Sequence, residues 1–179
     1  MSFTIIPIVK TREGVWSLTD RQLLGIYLKL LKHRLIDRVF IMGEASTPDK
    51  FVAMIKNKRN VFNIVINEEN ECMVLSWLNR WGFNHAFVHH CFFPEAWGKH
   101  THEIGKMVLK YWFEMKKDNG EPILDVLMGK TPESNRLAVR FIKKMGFTTI
   151  GTVPGICFDV KQKKKIGAVF SYIRREEVL

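Results

Sequence analysis

The stretch FFPEAWGKHTHEIGKMVLKYWF, Phe92 to Phe113, changes hydrophobic period partway along, and that change decides the fold. Before it, His85 to Phe93 reads as a strand stopped by Pro94. After it, Ile104, Met107, Val108, Tyr111, Trp112 and Met115 recur at i, i+3, i+4, i+7, i+8 and i+11, the spacing of one buried helical stripe. A nearly continuous apolar run, Ile123 to Leu127, then predicts another strand. Strand, helix and strand in that order need a parallel crossover, hence a mixed sheet covered by helices.

Working outward, Thr131-Pro132-Glu133 predicts a helix start. Leu137, Ala138, Phe141, Ile142 and Met145 form its inner face and Gly146 its stop. Thr148 to Val153, Ile156 to Val160 and Ala168 to Ile173 read as closing strands, the last two flanking Lys161 to Lys165. Upstream, Phe3 to Val9 reads as a strand. Thr19 or Asp20 caps a helix whose stripe is Leu23, Leu24, Tyr27, Leu28, Leu31 and Leu35. Thr47-Pro48-Asp49 opens a short helix with Phe51, Val52 and Ile55 inside. Val61 to Ile66, Cys72 to Leu78 and His85 to Phe93 make an antiparallel meander.

With 179 residues, 46% of them hydrophobic and 26% charged, the chain reads as one globular domain, residues 1–179. Lys plus Arg exceeds Asp plus Glu by 28 to 18, and the net charge of +10 suits an anionic partner: nucleic acid, anionic lipid or a phosphate-rich cofactor. The cysteines, Cys72, Cys91 and Cys157, are too scattered for a disulfide framework and read as reduced thiols of a cytoplasmic protein. No run approaches the ~18 apolar residues of a membrane span. No signal-peptide pattern opens the sequence.

The loop Phe93 to His102 precedes the strongest helix, whose first turn presents free N–H groups and positive potential. Gly98 and Lys99 there suit a phosphate. The segments FFPEAWGKHTHEIGKMVLKYWF, EPILDVLMGKTPESNRLAVRFIKKMGF, TTIGTVPG and SYIRREE together resemble the GNAT superfamily of acyl-CoA-dependent N-acyltransferases, nearest its ribosomal-protein N-terminal acetyltransferase branch. The resemblance implies an α/β fold, a single-domain GNAT-like mixed sheet flanked by helices. It implies an enzyme that moves an acetyl group from acetyl-CoA to a primary amine, on a protein N-terminus or a small molecule. It also assigns cofactor binding to Phe92, Phe93, Trp97, Gly98, Lys99, His100, Thr101, His102 and Asn135. The family's loop anchors are Arg or Gln, then Gly, then Gly or Ala; here they read Trp97, His100 and His102. Where the family often places a proton-donating Tyr, this chain has Ile142.

Amine acylation needs a base, because a free lysine amine has a pKa of ~10.4. It also needs a donor for the oxyanion, which the resemblance places at the Phe92 or Phe93 backbone. Strand alternation puts His89 with Cys91 on one face and His90 with Phe92 on the other. Each face thus offers a histidine, His90 ahead of His89. Two other readings stand beside this one. One is an inactive GNAT-fold module that binds an anionic or nucleoprotein partner through Lys161, Lys163, Lys164 and Lys165. The other is a metal module built on His89, Cys91, His100 and His102, although no Cys-x-x-Cys pair is present and no metal ligand set is expected.

Overall fold

The computed structural model describes residues 2–179, the side chain of Lys99 excepted. Its strands are β1 Thr4–Ile8, β2 Val61–Ile66, β3 Cys72–Asn79, β4 His85–Phe92, β5 Val126–Pro132, β6 Thr148–Asp159 and β7 Lys164–Arg174. Its helices are α1 Asp20–Lys32, α2 Ile36–Val39, α3 Pro48–Lys56, α4 Lys99–Phe113 and α5 Arg136–Lys144. The strands form one seven-stranded sheet in the order β1-β2-β3-β4-β5-β7-β6. Among the described residues only β4 and β5 pair in parallel, the crossover expected from the Phe92–Phe113 stretch. One face packs Phe62, Trp77, Cys91 and Phe93 against Leu23, Tyr27, Phe51 and Ile55 of α1 and α3. The other packs Val74, Leu78, Val88 and Leu127 against Ile104, Val108 and Trp112 of α4 and Ile142 and Met145 of α5.

Several boundaries depart from the sequence reading, each for a local reason. The buried stripe of α1 is Leu23, Ile26, Tyr27 and Leu30, while Leu24, Leu28 and Leu31 face outward and Leu28 is 62% exposed. Apolar residues occur nearly all round this helix, so periodicity permits two phases; the sheet contacts select one. The helix also stops at Lys32. Arg34 turns the chain left-handed (φ 54°), and Leu35 caps the unanticipated α2. The fifth strand is Val126–Pro132, not Ile123 to Leu127, and α5 starts at Arg136 with Asn135 as its cap. Pro132 ends a strand instead of starting a helix. Glu133 N–H bonds Gly167 O of β7, so the Pro132 nitrogen points away from β7, where a missing N–H costs no ladder bond. The two closing strands before the lysine turn are one, β6, broken in register between Val153 and Cys157, where Gly155 has φ 66°. Lys164 and Lys165 belong to β7, leaving Lys161 to Lys163 in the turn.

Thr19 caps α1 reciprocally: its Oγ1 accepts from Gln22 N–H at 3.3 Å, and Gln22 Oε1 accepts Thr19 N–H at 2.8 Å. Thr19→Ala should cost about 1 kcal/mol, a fall in Tm of roughly 2–4 °C for a chain of this size, read by thermal denaturation. No helix among the described residues is long and apolar enough to cross a membrane.

Candidate functional site

β4 and β5 pair only from His85↔Val126 to Phe87↔Met128. Past that point β4 stays with β3 as far as Phe92↔Val74, and β5 stays with β7 as far as Pro132↔Ala168. The sheet therefore splits into a wedge. Phe93 N–H donates to Met73 O (2.9 Å), so by alternation Cys91 also faces β3, while the N–H and C=O of His90 and Phe92 point into the wedge. Phe92 O is met there by the Trp97 indole, Nε1 to O 3.0 Å. Of the two strand amides expected to face a ligand, Phe92's does and Phe93's is already bonded. The Phe93 ring is buried on the α1 face, under the Lys29 ammonium. A backbone edge left open in this way needs a partner.

A cavity of about 120 Å³ passes through the wedge, lined from one face by Trp77 and His89 and from the other by His90, Asn135, Phe141 and Ile142. Both histidines line it, and both are held by hydrogen bonds. His90 Nδ1 lies 3.0 Å from Ser76 Oγ, which also donates to His89 O (3.0 Å) and accepts from Trp112 Nε1 (3.2 Å). A hydroxyl has one proton. If that proton goes to His89 O, then His90 Nδ1 must be the donor to Ser76, and its Nε2 carries the lone pair. No hydrogen bond occupies that Nε2 among the described residues. Burial holds His90 neutral, its pKa lowered to about 4. His89 is lowered to about 3, first by burial and then by its neighbours His90, Arg80 and Lys130, beside which a second positive charge is disfavoured. It stacks on Trp77 (centroids 4.8 Å apart) with Nε2 3.0 Å from Asn79 Oδ1. Asn63 continues the polar row, paired with Ser76 in register; it is fully buried and its amide is unbonded to protein among the described residues.

At the wedge's outer end, Gly98 sets the start of α4 with φ 80°, and no side chain among the described residues caps the helix. A Cβ built on Gly98 meets nothing within 4 Å, so backbone is open to approach here. The first turn of α4 holds no acid, leaving its N–H groups and dipole available to an anion. Thr101 Oγ1 tightens the turn by donating to Ala96 O (2.8 Å). The His100 ring lies edge-on to Phe3 (5.3 Å), with Nδ1 3.5 Å from Glu103 Oε2 and without a hydrogen-bond partner among the described residues. His102 Nδ1 is buried with no hydrogen-bond partner among the described residues. The Lys99 side chain, expected to add charge here, lies outside the described residues. Asn135 Oδ1 caps α5 by accepting from Ala138 N–H (3.2 Å), and the residue also lines the wedge cavity.

The sequence reading places Trp112 and Phe141 on buried helical faces and Ser76 in a strand, but assigns none of them to the site. Ser76 meets His90 through the β3–β4 register. Phe141 meets Phe92 (5.0 Å) and His90 (6.2 Å) because Gly105 lets α5 approach α4. None of these long-range contacts leaves a local sequence signal. The metal reading finds no support: among the described residues no three His, Cys, Asp or Glu side chains converge. Burial also pushes the Cys91 thiol up to about 12.

The fold that carries this wedge is shared with known structures. Spermidine N-acetyltransferase from Vibrio cholerae, in complex with CoA and spermine, superposes with TM-score 0.74 at 17% identity, covering 98% of this chain and 97% of that one. A dodecameric structure of the same enzyme in an intermediate state gives TM-score 0.68 at 16% identity over 99% and 96%. Its complex with manganese ions gives 0.67 at 17% over 98% and 94%. The chain thus has the GNAT fold that its motifs resemble. No family model and no curated protein matches the sequence.

Proposed function

We propose that this protein is a cytoplasmic acetyl-CoA-dependent N-acetyltransferase acting on a primary amine. The observation that carries the reading is the split between β4 and β5, which leaves the His90 backbone and the Phe92 N–H without a strand partner beside the start of α4. The residues fit an acyl-CoA. The amides from Gly98 through Lys99 to His102 would hold its pyrophosphate, with Trp97 beside them. The Phe92 edge would hold the pantetheine and Asn135 would flank it. The bound thioester supplies the acyl group. Phe92 N–H would stabilise the oxyanion. His90 Nε2 accepts the proton that the attacking amine loses as the C–N bond forms and the C–S bond breaks. Ile142 cannot protonate the departing thiolate, so that proton comes from water. An acceptor at a protein N-terminus, as in the ribosomal-protein branch, and nucleoprotein contact by Lys161, Lys163, Lys164 and Lys165 are finer readings of the same fold.

Calorimetric titration with acetyl-CoA at moderate salt, with ATP as the anion control, tests this. Saturable micromolar binding that ATP does not reproduce is the expected result. Binding shared equally with ATP, or no binding, would overturn the reading in favour of an inactive module that holds an anionic partner.

A further inference from the structure

The solved neighbour binds spermine, a polycation, yet the surface next to this wedge has the opposite demand. A cavity of about 650 Å³ adjoins the wedge and shares Arg38 and Asn135 with it. Four cations, Arg34, Arg38, Arg136 and Lys161, line it against two carboxylates, Asp37 and Asp159. Both carboxylates are engaged. Asp37 Oδ2 pairs with Lys161 Nζ at 2.9 Å. Asp159, 5% exposed, accepts Gln162 N–H at 2.8 Å inside the β6–β7 turn. The guanidiniums of Arg34, Arg38 and Arg136 make no ion pair or hydrogen bond among the described residues. They come from three places: the left-handed turn after α1, the helix α2 and the first turn of α5. Planar guanidiniums without carboxylate partners, gathered at one cavity, are suited to a carboxylate or phosphate and repel a polyamine.

We propose that this cavity binds the acceptor through an anionic group that the amine-bearing substrate carries, and that the enzyme selects anionic amines over polyamines. The inference rests on the acetyl-transfer reading and names its substrate class. Arg38 and Asn135, common to both cavities, place the anion-binding surface beside the wedge into which His90 faces.

The test compares acetyl transfer, followed as released CoA thiol, for matched acceptors: a peptide with an N-terminal aspartate, its asparagine counterpart, a small phosphorylated primary amine, its dephosphorylated counterpart, and spermidine. The carboxylate and phosphate arms show which anion is preferred. At least a tenfold higher kcat/KM for an anionic acceptor than for its neutral counterpart is expected, with spermidine below both. In Arg38→Gln, Arg136→Gln that ratio should fall toward one, and Arg38→Lys, Arg136→Lys should recover part of it. Lys110→Ala, at the far end of α4, should keep the ratio. Equal turnover of anionic and neutral acceptors, or spermidine as the best substrate, would overturn the proposal. A parallel readout needs no turnover: inorganic phosphate and glutarate, titrated by calorimetry, should bind wild type and lose at least fivefold in affinity in Arg38→Gln, Arg136→Gln. Failure to bind acetyl-CoA together with arginine-dependent anion binding would sink the transferase reading alone. Anion binding indifferent to these arginines would sink the cavity assignment alone.

Discussion

His90→Ala should lower kcat by about 100- to 10,000-fold, the usual contribution of a positioned general base, while leaving acetyl-CoA affinity nearly intact. The reason is the polar row around Ser76. Trp112 Nε1 donates to Ser76 Oγ, and with the Ser76 proton on His89 O, His90 Nδ1 donates to that hydroxyl and Nε2 is left as an acceptor at the wedge. Ser76→Ala removes the group that orients the ring without removing the base. Its effect should be smaller, on the order of tenfold, and should fall on kcat more than on KM. The pH profile separates a base from a structural histidine. With His90 at about 4, kcat/KM should show no inflection near the ordinary histidine value of ~6.5 and should climb instead toward the pKa of the acceptor, ~7.7–8.0 for an α-amine or ~10.4 for lysine. Wild-type kcat in His90→Ala, with the loss appearing in a His89 variant, would move the base to the opposite face of β4.

How much of this was legible depended on whether the signal was local. α4 is readable because its apolar positions keep one phase from Ile104 to Trp112, and the loop before it because Gly98 and Lys99 stand at the helix start. In α1 the apolar residues occupy two phases, and only the contacts of Ile26 and Leu30 with the sheet break the tie. Pro132 carries a local signal that fits both a helix start and the last residue of a strand; the direction of its nitrogen relative to β7 decides, and that is a tertiary fact. The alternation of His89 and His90 across β4 follows from the pleat alone, but their partners Asn79 and Ser76 follow from the β3–β4 register. The arginine-lined cavity was invisible for the same reason: Arg34, Arg38, Arg136 and Lys161 lie on separate segments that only the finished sheet gathers.

Lowering the pH from 7 to 5 should destabilise the fold by about 4 kcal/mol, roughly 8–16 °C in Tm for a chain of this size. His89 sits at about 3 and His90 at about 4 in the folded protein because burial penalises their charged forms, whereas an unfolded chain's histidine titrates near ~6.5. Below that value the unfolded state binds protons that the folded state refuses, so stability rises with pH and is lost as pH falls. The stabilisation is fully present above the unfolded pKa and is drained between ~6.5 and the folded values. Over the 1.5 pH units between ~6.5 and 5 each imidazole forfeits about 2 kcal/mol, at 1.36 kcal/mol per unit. Carboxylates with lowered pKa, such as Glu95 beside Lys29, give up their contribution only below their ordinary range of ~4.3, so the window from 7 to 5 isolates the histidines. His89→Gln and His90→Gln should each remove about half of the slope, and the double variant should flatten it. Urea denaturation at pH 7, 6 and 5 measures all of this. Stability in the wild type that stays level across that range would show that the two rings do not reach the wedge as buried neutral imidazoles, and the assignment of His90 as a preset base would fall with it.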